Sequence, residues 1–515
     1  MKSASAAHHC RLFPQQVSVS FSLVFFLSAS SLLQPHSPIP HTNTKPTTSK
    51  QNKTKHSYQQ MAVLSILLSL LLTTTLFSLS HQQPPLDSSE QQSLYQILHS
   101  LNPTIPWRTL FPDDFCLSAP HGVVCDYPTQ LNQTPHIVQL SFGYVSDETP
   151  NPPCSSNATL NFHLFASFPY LRKLFFYNCF NHTPLSLSSS LSLPSSLQEL
   201  VFINNPSFIS PLAPLVQNLT SLRRLILIGN AFHGEVPSQI GAFLNLEEVT
   251  LSRNNLSGEI PSSLGLLDKL KVLDLSGNKF EACLPESLGN LSRLLKLDLS
   301  FNAFGCRIPE SLRGLQSLEF LDLSFNRFGS FGVPLFVGEV PTLKEVYLSG
   351  NSLSGVIPEI WENLGGVERL GLSEMGLVGS IPVSMGVYLK NLSYLGLDNN
   401  SLEGPVPFGL LEYGGEINLE NNNLSGRVRL SRRVGQKLKL KVAGNRGLCL
   451  DNKRGCESGG GGGGDGLGQL EACKKTDVPD AVVFSRASSL LRFDSLALLV
   501  RLASVAAGVV VFTGF

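Results

Sequence analysis

Leucines recur along the middle of the chain on a fixed frame. LRRLILIGNAFHGEVP from Leu222, LEEVTLSRNNLSGEIP from Leu246, LKVLDLSGNKFEACLP from Leu270 and LLKLDLSFNAFGCRIP from Leu294 share the pattern L-x-x-L-x-L-x-x-N. LEFLDLSFNRFGSFGVP from Leu318 and LKEVYLSGNSLSGVIP from Leu343 continue it, and weaker copies begin at Leu171, Leu197, Val367, Leu392 and Gly414. Most successive copies lie 24 or 25 residues apart. Within a copy the fourth and sixth positions are apolar and their neighbours mostly polar, the period of a half-buried strand. Leu294, Leu297 and Leu299 therefore face inward from a short strand, and no copy can bury them alone. Stacking the copies at about 4.8 Å per strand joins these leucines into one core. Asn230, Asn254, Asn278, Asn302, Asn326 and Asn351 recur at the turn after each strand. A buried amide there can satisfy backbone groups of its own turn and of the next coil. Met375 takes this place in the copy from Val367, the one break in the ladder.

A 24-residue period in this frame is the signature of leucine-rich repeats. The sequence predicts a leucine-rich-repeat solenoid of the plant type, marked by Gly234–Pro237, Gly258–Pro261 and Gly355–Pro358. Its form is a curved right-handed superhelix with a parallel concave β-sheet and a cap at each end. Ser89 to Leu101 is the expected capping helix, with Leu94, Ile97, Leu98 and Leu101 on one face. Ser89-x-x-Gln92 starts it and Pro103 stops it. Cys116 and Cys125 bracket the next loop, and His136–Phe142 gives a first strand. GNRGLC, Gly444–Cys449, closes the array with Cys456. The expected organisation is an N-terminal cap region over 81–170, about eleven repeats over 171–436 and a C-terminal cap over 437–456.

The ends have a different composition. Residues 1–60 carry Ser, His, Thr, Pro and Lys without period and read as a gene-model extension or disordered leader. From Met61, residues 61–80 form a compact secretory signal with an apolar core and small Ser78 and Ser80; a transmembrane anchor is the other reading. Gly459–Gly464 lies in a flexible linker over 457–487 that lacks the Gly-Lys-Ser/Thr of a phosphate loop. Ala487-Ser488-Ser489, a spacer ending at Arg501 and an apolar tail match a glycolipid-anchor signal. Ala487 is then the attachment site and 488–515 the removed segment, against a terminal membrane helix that would bury Arg501. Charged residues are only 15% of the chain, and 38 basic residues balance 38 acidic ones. That gives no electrostatic ground for a nucleic-acid partner. An apolar share of 42% with 31 Phe supplies a large core and excludes wholesale disorder.

The capping helix, the cysteine pair ending in HGVVCD, the LxGxIP repeats and the terminal GNxGLC resemble plant leucine-rich-repeat receptor ectodomains. More narrowly, LSFGYVSDETPNPPC (Leu140–Cys154) and LRKLFFYNCF (Leu171–Phe180) are similar to a small kinase-less subgroup. That subgroup contains TOO MANY MOUTHS and the Piriformospora-indica-insensitive proteins. The resemblance covers about residues 88–456. It implies a receptor-like protein on the extracellular face of the plasma membrane, assisting receptor kinases in perceiving cues in development or microbe response. The first 60 residues and the polyglycine stretch depart from it.

No enzyme constellation is present: no His-Glu-x-x-His, Gly-x-Ser-x-Gly or kinase loop set occurs, so neither catalysis nor a cofactor or metal is expected. Asp274, Asp298 and Asp322 recur as ordinary repeat vocabulary on adjacent strands. Nine cysteines follow residue 80. Cys116 pairs with Cys125; Cys154 pairs with Cys179 or leaves a buried thiol in an Asn position. Cys283 and Cys306 could touch, and Cys449 takes Cys456 or Cys473. Glycosylation sequons start at Asn132, Asn157, Asn181, Asn218, Asn255, Asn290, Asn391, Asn399 and Asn423, leaving 293–390 free of sugar.

Positions three, five and eight of the frame point out of the concave sheet. In the central copies these are Lys296, Asp298 and Phe301, then Phe320, Asp322 and Phe325, with Tyr347 beside them. The expected picture is one exposed aromatic cluster rimmed by carboxylates, suited to a protein or peptide partner. The bland alternative packs the Phe before each Asn along the repeat edge. No island interrupts the repeats to form a small-molecule pocket. At the level of function the rival to a receptor is a freely secreted inhibitor of cell-wall-degrading enzymes, which would lack an anchor.

Overall fold

A computed structural model describes residues 63–69, 85–118, 120, 122–126, 134–143, 153–187, 193–217, 219–412, 414–430, 438–451 and 470–473. The chain divides into two units, Met1–Gln82 and Gln83–Phe515. In the first, residues 63–69 form a short exposed helix. Among the described residues no helix is long and apolar enough to cross a membrane.

The second unit is the solenoid. Among its described residues, 14 strands form one sheet in chain order, from Val123–Asp126 to Leu438–Lys441. Val123–Asp126 runs antiparallel to His136–Gly143, and every later neighbour pairs parallel in the repeat register. Leu273 faces Leu297 and Leu297 faces Leu321, so equivalent leucines stack strand upon strand. Leu294, Leu297 and Leu299 are fully buried, as the frame requires. Leu438–Lys441 adds a strand beyond the copy from Gly414, and Asn445 continues the Asn ladder there.

The phenylalanines form a second spine behind the leucines. Phe280, Phe304 and Phe328, two places after each ladder Asn, stack at 5.9 and 6.4 Å between ring centroids. Near the N-terminal end, Phe162, Phe176, Phe180, Phe202 and Phe208 pack mutually at stacked, tilted and edge-on angles. After Gly234–Pro237 and Gly258–Pro261 the chain enters a short 3-10 helix, and Pro285 and Pro309 open the same turn at Glu286–Asn290 and Glu310–Gly314. These turns approach closely. A Cβ on Gly289 would stand 2.1 Å from the Ser311 carbonyl oxygen, so only glycine fits.

The helix Ser88–Leu101 caps the first coil and buries Leu94, Ile97, Leu98 and Leu101. Its N-cap is Asp87 rather than Ser89: the Asp87 carboxylate accepts the Ser89 N–H at 2.8 Å. An ionised carboxylate is the stronger acceptor for these orphan donors.

Candidate functional site

Each ladder Asn fixes where the neighbouring side chains point. The Asn302 amide NH2 donates to the carbonyls of Leu275, Leu299 and Ser300 at 3.0, 3.2 and 3.1 Å. Its carbonyl oxygen accepts the Phe280 N–H at 3.1 Å. At the break, Met375 is buried, and Asn400 compensates by accepting two N–H groups, from Met375 and Leu377. The residue just before the ladder Asn must then turn left-handed. Gly277 and Gly350 do so freely, but Phe301 and Phe325 adopt φ of 55° and 52°. An L-residue with a Cβ pays about 1–2 kcal/mol for that conformation.

Those two phenylalanines form a ridge on the concave face. Their rings stack at 4.5 Å with 16° between planes. Phe301 is 58% exposed and Phe325 44%. The Phe325 ring lies over Gly350, where a Cβ would come within 2.6 Å of it. The pair therefore does pack along the repeat edge, as the bland alternative has it, yet stays open to solvent. Beside the ridge, Phe320 and Tyr347 are half-buried, with ring centroids 5.9 Å apart.

The expected carboxylate rim is corrected to a carboxylate floor. Asp298 is only 9% exposed and Asp322 is half-buried. Asp298 and Asp322 each accept a hydrogen bond from the hydroxyl two residues on, Ser300 at 2.7 Å and Ser324 at 2.5 Å. The Lys296 ammonium sits 2.9 Å from Asp274 and 3.3 Å from Asp298, and 5.2 Å from the Phe320 ring centroid. Burial pulls the Lys296 pKa down, but the paired aspartates outweigh it and leave it raised. Burial pushes the Asp298 carboxyl up, with Asp274 adding repulsion. Burial likewise pushes Asp322 up to about 6, against the Ser324 hydrogen bonds. Burial and the bond to Glu345 push the Tyr347 phenol up to about 12.

The patch extends further than the named residues. The Tyr347 hydroxyl donates to Glu345 at 2.6 Å and accepts from Arg369 at 2.7 Å, and Arg369 lies 4.8 Å over the Tyr394 ring. Glu345, Arg369 and Tyr394 all occupy position three of later copies. That signal was available in the sequence. Among the described residues no cluster of three or more His, Cys, Asp or Glu could hold a metal.

Comparison with known proteins agrees with this architecture. A leucine-rich-repeat family model matches residues 268–328, and a second matches 245–267 and 342–364. This chain has the fold of the plant-type leucine-rich-repeat solenoid. It is similar to Receptor like protein 29 of Arabidopsis thaliana, 36% identical over 174 residues, or 32% of this chain and 36% of that one. It is also similar to Protein TOO MANY MOUTHS of the same plant, 34% identical over 28% of this chain and 29% of that one. Piriformospora indica-insensitive protein 2, also from Arabidopsis thaliana, is 34% identical over 29% of this chain and 35% of that one. The chain thus spans about a third of the length of the curated relatives it matches. Among solved structures, PEPR1-AtPEP1 shares the fold at a TM-score of 0.51, with 24% identity over 70% of this chain and 55% of that one.

In this leucine-rich-repeat chain Cys116 bonds Cys125, Cys154 bonds Cys179 and Cys283 bonds Cys306, with Cα separations of 5.6, 4.9 and 5.3 Å. The Cys449–Cys456 alternative is corrected: Cys449 bonds Cys473, because residues 470–473 return beside Gly447–Leu450. Cys456 lies outside the described residues. Of the sequon asparagines, Asn157, Asn255, Asn290, Asn391, Asn399 and Asn423 are exposed. Asn181 is half-buried, its amide donating to the Asn178 carbonyl at 2.9 Å. Asn132, Asn218 and the anchor candidate Ala487 lie outside the described residues.

Proposed function

We propose that the chain is a cell-surface receptor-like protein that binds an extracellular peptide or protein on its concave sheet and acts through partner receptor kinases. The observation that carries the reading is the Phe301–Phe325 ridge: stacked, exposed and held in a costly backbone conformation. Nothing in the fold needs aromatic rings there, since Gly277 and Gly350 fill the same place in the flanking repeats. Aromatic anchors on a rigid sheet are the usual makings of a binding hot spot. The receptor-like relatives and the absence of sequons over 293–390 favour the same face.

Residues 487–515 belong to this reading as a glycolipid-anchor signal, which places the ectodomain on the outer face of the plasma membrane. Phospholipase treatment of intact plant membranes should release the protein. Full recovery from wall fluid without such treatment would favour the secreted-inhibitor alternative.

The face itself is tested by a glycan wedge. Asp322→Asn creates Asn-Leu-Ser with Leu323 and Ser324 on the concave sheet. A glycosylated, folded variant should fail to co-purify the receptor kinase that wild type captures under mild detergent. Unchanged co-purification would remove the concave face from the mechanism.

A further inference from the structure

Position five of the central strands carries Asp274, Asp298, Asp322 and Tyr347 in register. Each aspartate uses its Oδ1 in the same way, accepting from the serine hydroxyl two residues on. Their second oxygens differ. Asp274 and Asp298 share the ammonium of Lys296, which comes from position three. In the next two copies position three is Phe320 and then Glu345. Among the described residues Asp322 has no cation at ion-pair distance, Lys296 attracting it only from further off, and the next copy brings in a further carboxylate. Arg369 stands 3.8 Å from Glu345 and hydrogen-bonds Tyr347, so it serves the far side. Four carboxylates, Asp274, Asp298, Asp322 and Glu345, thus stand on adjacent strands with two cations, Lys296 and Arg369.

We propose that Asp322, flanked by Phe325 and Tyr347, receives a lysine or arginine side chain of the bound peptide. The inference rests on the concave-face reading above. The chain supplies its own template: Lys296 lies between two aspartates and over an aromatic ring, and the ligand cation would occupy the equivalent place at Asp322. A partly desolvated carboxylate beside aromatic faces favours a cation with an apolar stem, through charge and cation–π attraction together. Coulomb attraction is also stronger there than at an open surface.

The test uses phage-displayed random dodecapeptides panned against the full secreted chain. Selected peptides should carry Lys or Arg beside an apolar residue. Replacing that Lys or Arg by Gln should weaken binding to wild type at least about 10-fold. The same replacement should change binding to Asp322→Gln less than about 2-fold, since the charge is already gone. Gln is used because Asn would create the glycosylation acceptor. Glu345→Gln serves as a second variant if Asp322→Gln folds poorly, and the peptide-side replacement needs no protein variant at all. Selected peptides indifferent to Lys or Arg, or equally sensitive on Asp322→Gln, overturn the cation site. If those peptides still lose binding on Phe301→Asn and Phe325→Asn, the concave-face reading survives that failure. Indifference to the phenylalanines as well removes both. Panning that enriches nothing overturns the cation site and leaves the receptor reading to the co-purification experiment.

Discussion

Phe301 and Phe325 show how a single position can be set against its own backbone. A left-handed φ costs a residue bearing a Cβ about 1–2 kcal/mol, and the ring pair returns about 0.5–1.5 kcal/mol. Asn tolerates that conformation, so Phe301→Asn should leave stability within about 1 kcal/mol of wild type. Thermal melting checks it, and a loss of several kcal/mol would mean that the ring is structural. Asp322 gives a second expectation. Its folded pKa is raised from 3.8 to about 6, so the folded protein binds this proton more tightly than the unfolded chain. The resulting stabilisation is complete below about pH 4 and is lost as pH rises through about 6. The melting temperature of wild type relative to Asp322→Gln should therefore fall between about pH 4.5 and about pH 7.5. A pH-independent difference would contradict the burial of that carboxylate.

The element that repeats is a strand, a turn and a tight return, and its energetics lie in two residues. Leu297 is fully buried between stacked neighbours, so Leu297→Ala should cost about 2–5 kcal/mol by cavity formation. Asn302 joins the turn to the neighbouring coil, so Asn302→Ala should cost about 1–3 kcal/mol through carbonyls left unpaired. Chemical denaturation of both variants measures this, and midpoints equal to wild type would refute the register. The frame made the strands and the ladder legible because their period is local. The left-handed turn before each Asn was hidden, since Gly, Asn, Arg, Phe and Glu all occupy it.

At the scale of the whole molecule, a solenoid is held by contacts between neighbours, so its ends can loosen while the middle stays folded. The N-terminal cap is latched by Glu90, 1% exposed, which accepts the Ile137 N–H at 2.8 Å and bonds His136 at 2.6 Å. Burial pushes its carboxyl up, against those hydrogen bonds. Glu90→Ala should raise amide exchange across 88–143 and leave 270–330 protected. Uniform exchange along the array would mean that the cap and the repeats unfold as one unit. At the other end the Cys449–Cys473 bond ties a returning segment to the last coil.

The sequence by itself determined the solenoid, its repeat register, the Asn ladder and the row of residues that leave the concave sheet. All follow from a 24-residue period and side chains that alternate between two faces of a strand. The tertiary structure decided what depends on neighbours in space. It buried Asp298 to 9% exposure, while Phe301 and Phe325 stayed exposed between flanking glycines. It let one lysine pair with two aspartates and, among the described residues, left Asp322 without an ion-pair partner. It also brought Cys473 rather than Cys456 to Cys449. Alternation along a strand says which way a side chain points; depth, pairing and charge balance depend on the strands stacked beside it.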